Sequence, residues 1–85
     1  MTDTEYDVLD ELYFIQSFQN LLEVLKIGDT ELLETLDQLI KKGWVKCFKE
    51  AQFEVMDDEI DLMANYNVYS YLATKQGLFA HNSAL

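Results

Sequence analysis

The side chains able to do chemistry in this 85-residue chain are few and scattered. Its one cysteine, Cys47, and its one histidine, His81, are far apart and have no companions at metal-ligand spacing, so a zinc site is not expected. Cys47, beside Phe48 in a β-type run, reads as a small buried hydrophobe. The acidic run Asp57-Asp58-Glu59-Ile60-Asp61 lacks the alternating ligands and mid-loop glycine of a calcium-binding EF-hand. It reads as a solvated loop; a face for a basic partner protein, or a mimic of nucleic-acid charge, is the lesser alternative. There is no Ser/His/Asp or Cys/His arrangement, no phosphate-cradling glycine loop and no cofactor fingerprint. Neither enzymatic activity nor a cofactor is expected.

Lys41, Lys42, Lys46 and Lys49 form the one group able to face phosphate. The plainer reading assigns two of them to a helix C-terminus, where cations oppose the helix dipole, and two to the solvent side of an edge strand, where lysine discourages aggregation. The overall charge favours that reading. Sixteen acids against six bases give a net charge of −10, and every base is a lysine. Residues 1–25 and 50–74 each carry six acids and no base, whereas residues 26–49 carry five lysines and four acids. Non-specific DNA affinity comes from neutralising phosphates, and guanine readout favours arginine, which the chain lacks. Most of this surface repels polyanions.

Eighty-five residues, 49% of them apolar, suit one domain over 1–85 that buries about 60–65% of its unfolded surface. No apolar run approaches the roughly 20 residues of a membrane span. The acidic N-terminus is unlike a signal peptide, and a single cysteine fits a reducing compartment, so a cytoplasmic location is expected.

The elements follow from periodicity. Leu32, Leu33, Leu36, Leu39 and Ile40 make one apolar stripe, so residues 29–42 form an amphipathic helix. Asp29 or Thr30 caps its start, and Gly43 ends it in a left-handed conformation. A first helix spans 5–16, with Val8, Leu9, Leu12 and Ile15 inward, and Ser17 caps a second over 18–26. With neither Gly nor Pro between them, one long helix over 5–26 is the alternative. Trp44 to Val55 reads as a strand, Met56 to Asn65 as a loop or short helical turn, and Asn67 to Ala73 as a second strand. Thr74 caps a short C-terminal helix carrying Leu78, Phe79 and Ala80.

Two segments give this order a family likeness: L-L-E-T-L-D-Q-L-I-K-K-G-W-V, from Leu32 to Val45, and Y-S-Y-L-A-T-K-Q-G-L, from Tyr69 to Leu78. The chain resembles the winged helix-turn-helix regulators of MarR and PadR type. The first segment matches their Leu-x-x-Leu-x-x-x-Gly-hydrophobic-Val habit. The second matches their Tyr-x-Leu-Thr-x-x-Gly turn, with Ala73 intervening before Thr74. The resemblance implies a small α+β winged-helix domain: three N-terminal helices, a two-stranded β-hairpin wing and a short C-terminal helix. It further implies that the exposed face of 29–42 enters the major groove, through Thr30, Thr35, Gln38, Lys41 and Lys42 together with Lys46. That face also carries Glu31, Glu34 and Asp37, and the wing connects through 57–61, so both elements have the wrong sign for DNA.

Two readings follow. The first is a winged-helix module for protein interaction or dimerisation, regulatory in role, with poor or no direct DNA affinity. The second is a DNA-binding regulator that uses residues 30–46. With five Phe, five Tyr and one Trp, a core this small cannot hide every aromatic ring. Tyr13, Phe14, Leu78 and Phe79 are therefore expected to form an apolar surface for a second copy or another protein. DNA is the disfavoured partner, and a membrane is not expected.

Overall fold

The computed structural model describes residues 1–50 and 52–84. Helix α1 (Asp3–Glu11) opens with a reciprocal capping box: the Thr2 hydroxyl accepts from Glu5 N–H, and Glu5 accepts from Thr2 N–H. A two-residue strand β1 (Gln16–Ser17) follows, then α2 (Phe18–Leu25), capped by the Ser17 hydroxyl. Helix α3 (Asp29–Lys41) is N-capped by Gly28, one residue before the positions expected from sequence. Its capping group makes no side-chain hydrogen bond; Asp29 and Glu31 instead bring negative charge to the positive end of the dipole. Gly43 takes φ +77°, the left-handed exit expected of it.

The remaining strands are β2 (Val45–Lys49), β3 (Phe53–Val55) and β4 (Tyr69–Ala73). A 3-10 turn (Asp57–Glu59) and the one-turn helix α4 (Leu62–Asn65) lie between β3 and β4, and α5 (Lys75–Ser83) follows. The fold is α+β, with five α-helices and one antiparallel sheet of four strands among the described residues. The sheet order is β1-β4-β2-β3.

Three expectations need correction. The first helix stops at Glu11 rather than continuing to residue 16. Leu12 N–H bonds Leu9 C=O, Leu12 C=O accepts from Ala73 N–H, and Gln16 and Ser17 pair with Tyr71 and Ser70. Pairing with the edge of β4 draws this segment out of the helix, which leaves Ile15 exposed and separates α1 from α2. Second, the run 44–55 is not one strand: β2 and β3 pair antiparallel, with Gln52 N–H donating to Lys49 C=O and Phe53 paired with Lys49. Glu50 takes φ +55° there, a left-handed turn conformation that no glycine in the sequence signals. Third, the expected two-stranded hairpin is a four-stranded sheet, because β1 and β3 flank the central pair β4 and β2.

Alternation along the strands decides what is buried. Val45, Cys47, Val55, Tyr69, Tyr71 and Ala73 face inward, while Lys46, Phe48, Ser70 and Leu72 lie on the half-exposed side. The inward row joins Val8, Leu9 and Leu12 of α1, Phe18 and Leu21 of α2, and Leu32, Leu36 and Leu39 of α3 in one core. No helix among the described residues is long and apolar enough to cross a membrane.

Cys47 is fully buried, and burial, reinforced by the Asp57 carboxylate, pushes its thiol up to about 12. A thiol so protonated and enclosed is a poor nucleophile. Its modification by a water-soluble disulfide reagent at neutral pH is expected only when the chain unfolds. The rate should follow the unfolded fraction as urea is added; fast labelling of the native protein would contradict the buried position.

Candidate functional site

The outward side of α3 is built by helical spacing. With Leu32, Leu36 and Leu39 directed into the core, Thr30, Leu33, Glu34 and Asp37 fall at i, i+3, i+4 and i+7 on another stripe. Helix α4 lies beside that stripe. Together they form a groove of about 370 Å³ lined by Thr30, Leu33, Glu34, Asp37, Leu62 and Met63. Leu62 is buried in the core, whereas Met63 is 72% exposed.

Three hydrogen bonds hold α4 in position. The Asp61 side chain caps it by accepting from Ala64 N–H at 3.2 Å, and Asp61 N–H donates to the Tyr69 hydroxyl at 3.1 Å. The Tyr71 hydroxyl donates to Tyr66 C=O at 2.7 Å, and its burial raises its pKa well above the usual tyrosine value. Two tyrosines on β4 thus tie the 56–66 connection to the sheet. Asp61 therefore has a structural role in a run expected from sequence to be a solvated loop.

The residues expected to contact DNA divide. Thr30 and Gln38 are exposed on α3. Thr35 is not on the exposed face, contrary to expectation: it is buried, and its hydroxyl donates to Glu31 C=O one turn back. Lys41 pairs with Asp37 at 2.8 Å on the same helix. Lys42 reaches Glu5 of α1 at 2.6 Å and lies 4.7 Å from the centroid of the Trp44 ring. Lys46 lies 5.7 Å from that of Phe48. Lys42 is thus tied to a buried carboxylate, whereas Lys41 makes only a surface pair within its own helix.

Glu5 was not singled out by sequence. Its side chain is 3% exposed and takes both the capping contacts and the Lys42 ion pair. Burial alone would raise its pKa, but the Lys42 ammonium and the hydrogen bonds from Thr2 outweigh burial and hold it below the ordinary value of 4.5. Its position three residues after Thr2 is the capping-box spacing, and that was the available signal.

The expected apolar surface is also divided. Phe14 and Phe79 are 77% and 76% exposed, whereas Leu78 packs partly against the core. The Tyr13 hydroxyl donates to Asn82 Oδ1 at 2.8 Å and lies 3.0 Å from His81 Nδ1, so Tyr13 joins α5 to the end of α1. His81 is buried, stacked on Tyr6 with centroids 4.2 Å apart. Its Nε2 is 3.2 Å from Asp10 Oδ1 yet out of line for a hydrogen bond. No local signal links residues 68 positions apart in sequence, so this joint was not legible.

Among the described residues, no three or more His, Cys, Asp or Glu side chains are grouped to hold a metal ion. In comparisons with known proteins, the chain matches no family model, no curated protein and no solved structure.

Proposed function

We propose that the chain is a winged-helix module for protein interaction and dimerisation, regulatory in role, with poor direct affinity for DNA. The succession α1, α2, α3, antiparallel β2 and β4, then α5 supports the winged-helix reading, with β3 and α4 interposed in the wing. Exposed Phe14 and Phe79 support a contact with a second copy or another protein.

One observation carries the functional part. The outward stripe of α3, which would enter the major groove in a DNA-binding relative, presents Glu34 and Asp37 beside Leu33, while Lys41 and Lys42 are held by Asp37 and Glu5. Lys41 and Lys42 would have to leave these partners to bind phosphate, and the remaining lysines act on a domain of net charge −10.

The test is fluorescence anisotropy of a labelled random duplex titrated with the protein at about 50 mM salt, where phosphate contacts are strongest. No saturable binding is expected. Binding that saturates and weakens steeply with added salt would replace this reading with a DNA-binding regulator acting through Thr30, Gln38, Lys41, Lys42 and Lys46.

A further inference from the structure

We infer that the groove between α3 and α4 receives an amphipathic, lysine- or arginine-bearing helix from a partner protein. This rests on the interaction-module reading and names the partner's chemistry. The floor and one wall of the groove are apolar: Leu33 is half-buried, Leu62 closes the bottom, and Met63 stands 72% exposed at the lip. An unbranched methionine side chain beside a leucine suits partner side chains of varied shape. The other wall is acidic. Glu34 forms no ion pair with the described residues, and Asp37, 47% exposed, meets only the surface lysine Lys41, whose side chain is 75% exposed.

An apolar channel with acids along one side complements a helix whose apolar stripe is flanked by cations. Duplex DNA offers neither an apolar stripe nor the correct sign. The approach into α4 through Asp57, Asp58, Glu59 and Asp61 adds to the negative field that would draw such a segment in. Helix α4 is therefore the distinguishing element: without Leu62 and Met63, the α3 stripe would be an acidic surface with no walls.

The test is an amide NMR titration of the full chain with two peptides of about 15 residues, built from the same Lys, Leu and Ala content. One has its leucines on a single helical stripe; the other is scrambled. The striped peptide is expected to saturate and to shift residues 30–37 and 62–63, with the scrambled one at least about tenfold weaker. Met63→Glu decides between mechanisms, because it removes an apolar contact while adding negative charge. It is expected to weaken the striped peptide about tenfold, and Glu34→Gln to weaken it several-fold. Equal binding of both peptides, tighter binding by Met63→Glu, or shifts confined to another surface would overturn the assignment. So would concentration-dependent shifts of 30–37 without peptide, which would give the groove to a second copy. A duplex that shifts 30–37 would bring down the interaction-module reading as well. A silent duplex with an unperturbed groove would refute the groove assignment alone.

Discussion

Replacing Gly77 with alanine is expected to destabilise the domain by about 2 kcal/mol, lowering its melting temperature by roughly 10 °C. Two joins meet at this glycine. The Thr74 hydroxyl donates to Gly43 C=O at 2.6 Å and accepts from Gly77 N–H at 3.1 Å, while Thr74 N–H donates to Trp44 C=O at 2.9 Å. The start of α5 is thereby clamped onto the exit of α3. A Cβ on Gly77 would lie 2.1 Å from the Trp44 carbonyl oxygen and 3.0 Å from its carbon. Neither contact is with a flexible side chain, so α5 or the Trp44 peptide must move, loosening the Thr74 bond to the same carbonyl. The usual gain of alanine over glycine within a helix, about 1 kcal/mol, is too small to offset this. Gly28→Ser is the control. No atom lies within 4 Å of a Cβ at Gly28, its φ is −75°, and a serine there would supply the cap hydroxyl that α3 lacks. That variant is expected to be neutral or more stable by about 0.5 kcal/mol. Thermal unfolding followed by circular dichroism distinguishes them; a Gly77→Ala melt unchanged from the parent would refute the close approach.

The second large effect is expected at the Glu5–Lys42 pair. Glu5 is buried and Lys42 is partly exposed, with 41% of its side chain open to water. Removing the lysine leaves a buried carboxylate held only by the Thr2 contacts. Deleting one partner of a fully buried pair costs about 3–5 kcal/mol, and water around Lys42 reduces this to about 1–2 kcal/mol for Lys42→Met at pH 7. The pH dependence has a definite sign. The folded-state pKa of Glu5 lies below its unfolded value of 4.5, so its contribution is complete above 4.5 and is lost as pH falls through the folded value. Without Lys42, only the Thr2 hydrogen bonds oppose burial, so that pKa is expected to rise from its folded-state value. The stability gap between parent and variant is therefore expected to be widest at neutral pH and to shrink below about pH 4. Urea unfolding of both proteins across that range measures it, and the comparison cancels the other carboxylates. A gap independent of pH would show that the pair contributes only packing.

These expectations rest on parts of the molecule that were unequally visible in sequence. The amphipathic stripe of α3, its exit at Gly43, the Ser17 and Thr74 caps and strand β4 all arise from local chemistry. Periodicity, a left-handed glycine and a hydroxyl facing free N–H groups act within a few residues, and so can be read along the chain. The break between α1 and α2 does not arise locally. Residues 12–15 carry no glycine or proline, and only the open edge of β4, more than fifty positions later, makes an extended conformation at Gln16 and Ser17 preferable. The turn at Glu50 is similar: strand pairing imposes a left-handed residue that its side chain does not favour.

The candidate site divides in the same way. The order of residues alone determined that the α3 face is acidic, since Glu31, Glu34 and Asp37 are fixed by spacing on a helix of known phase. That Thr35 turns inward, that Lys41 and Lys42 are occupied, and that Met63 borders a groove were decided by tertiary structure alone. Charge is a sum over residues and survives any fold. Whether a given charge is free to meet a partner depends on which side chains distant parts of the chain bring within about 4 Å of it, and only packing sets that distance.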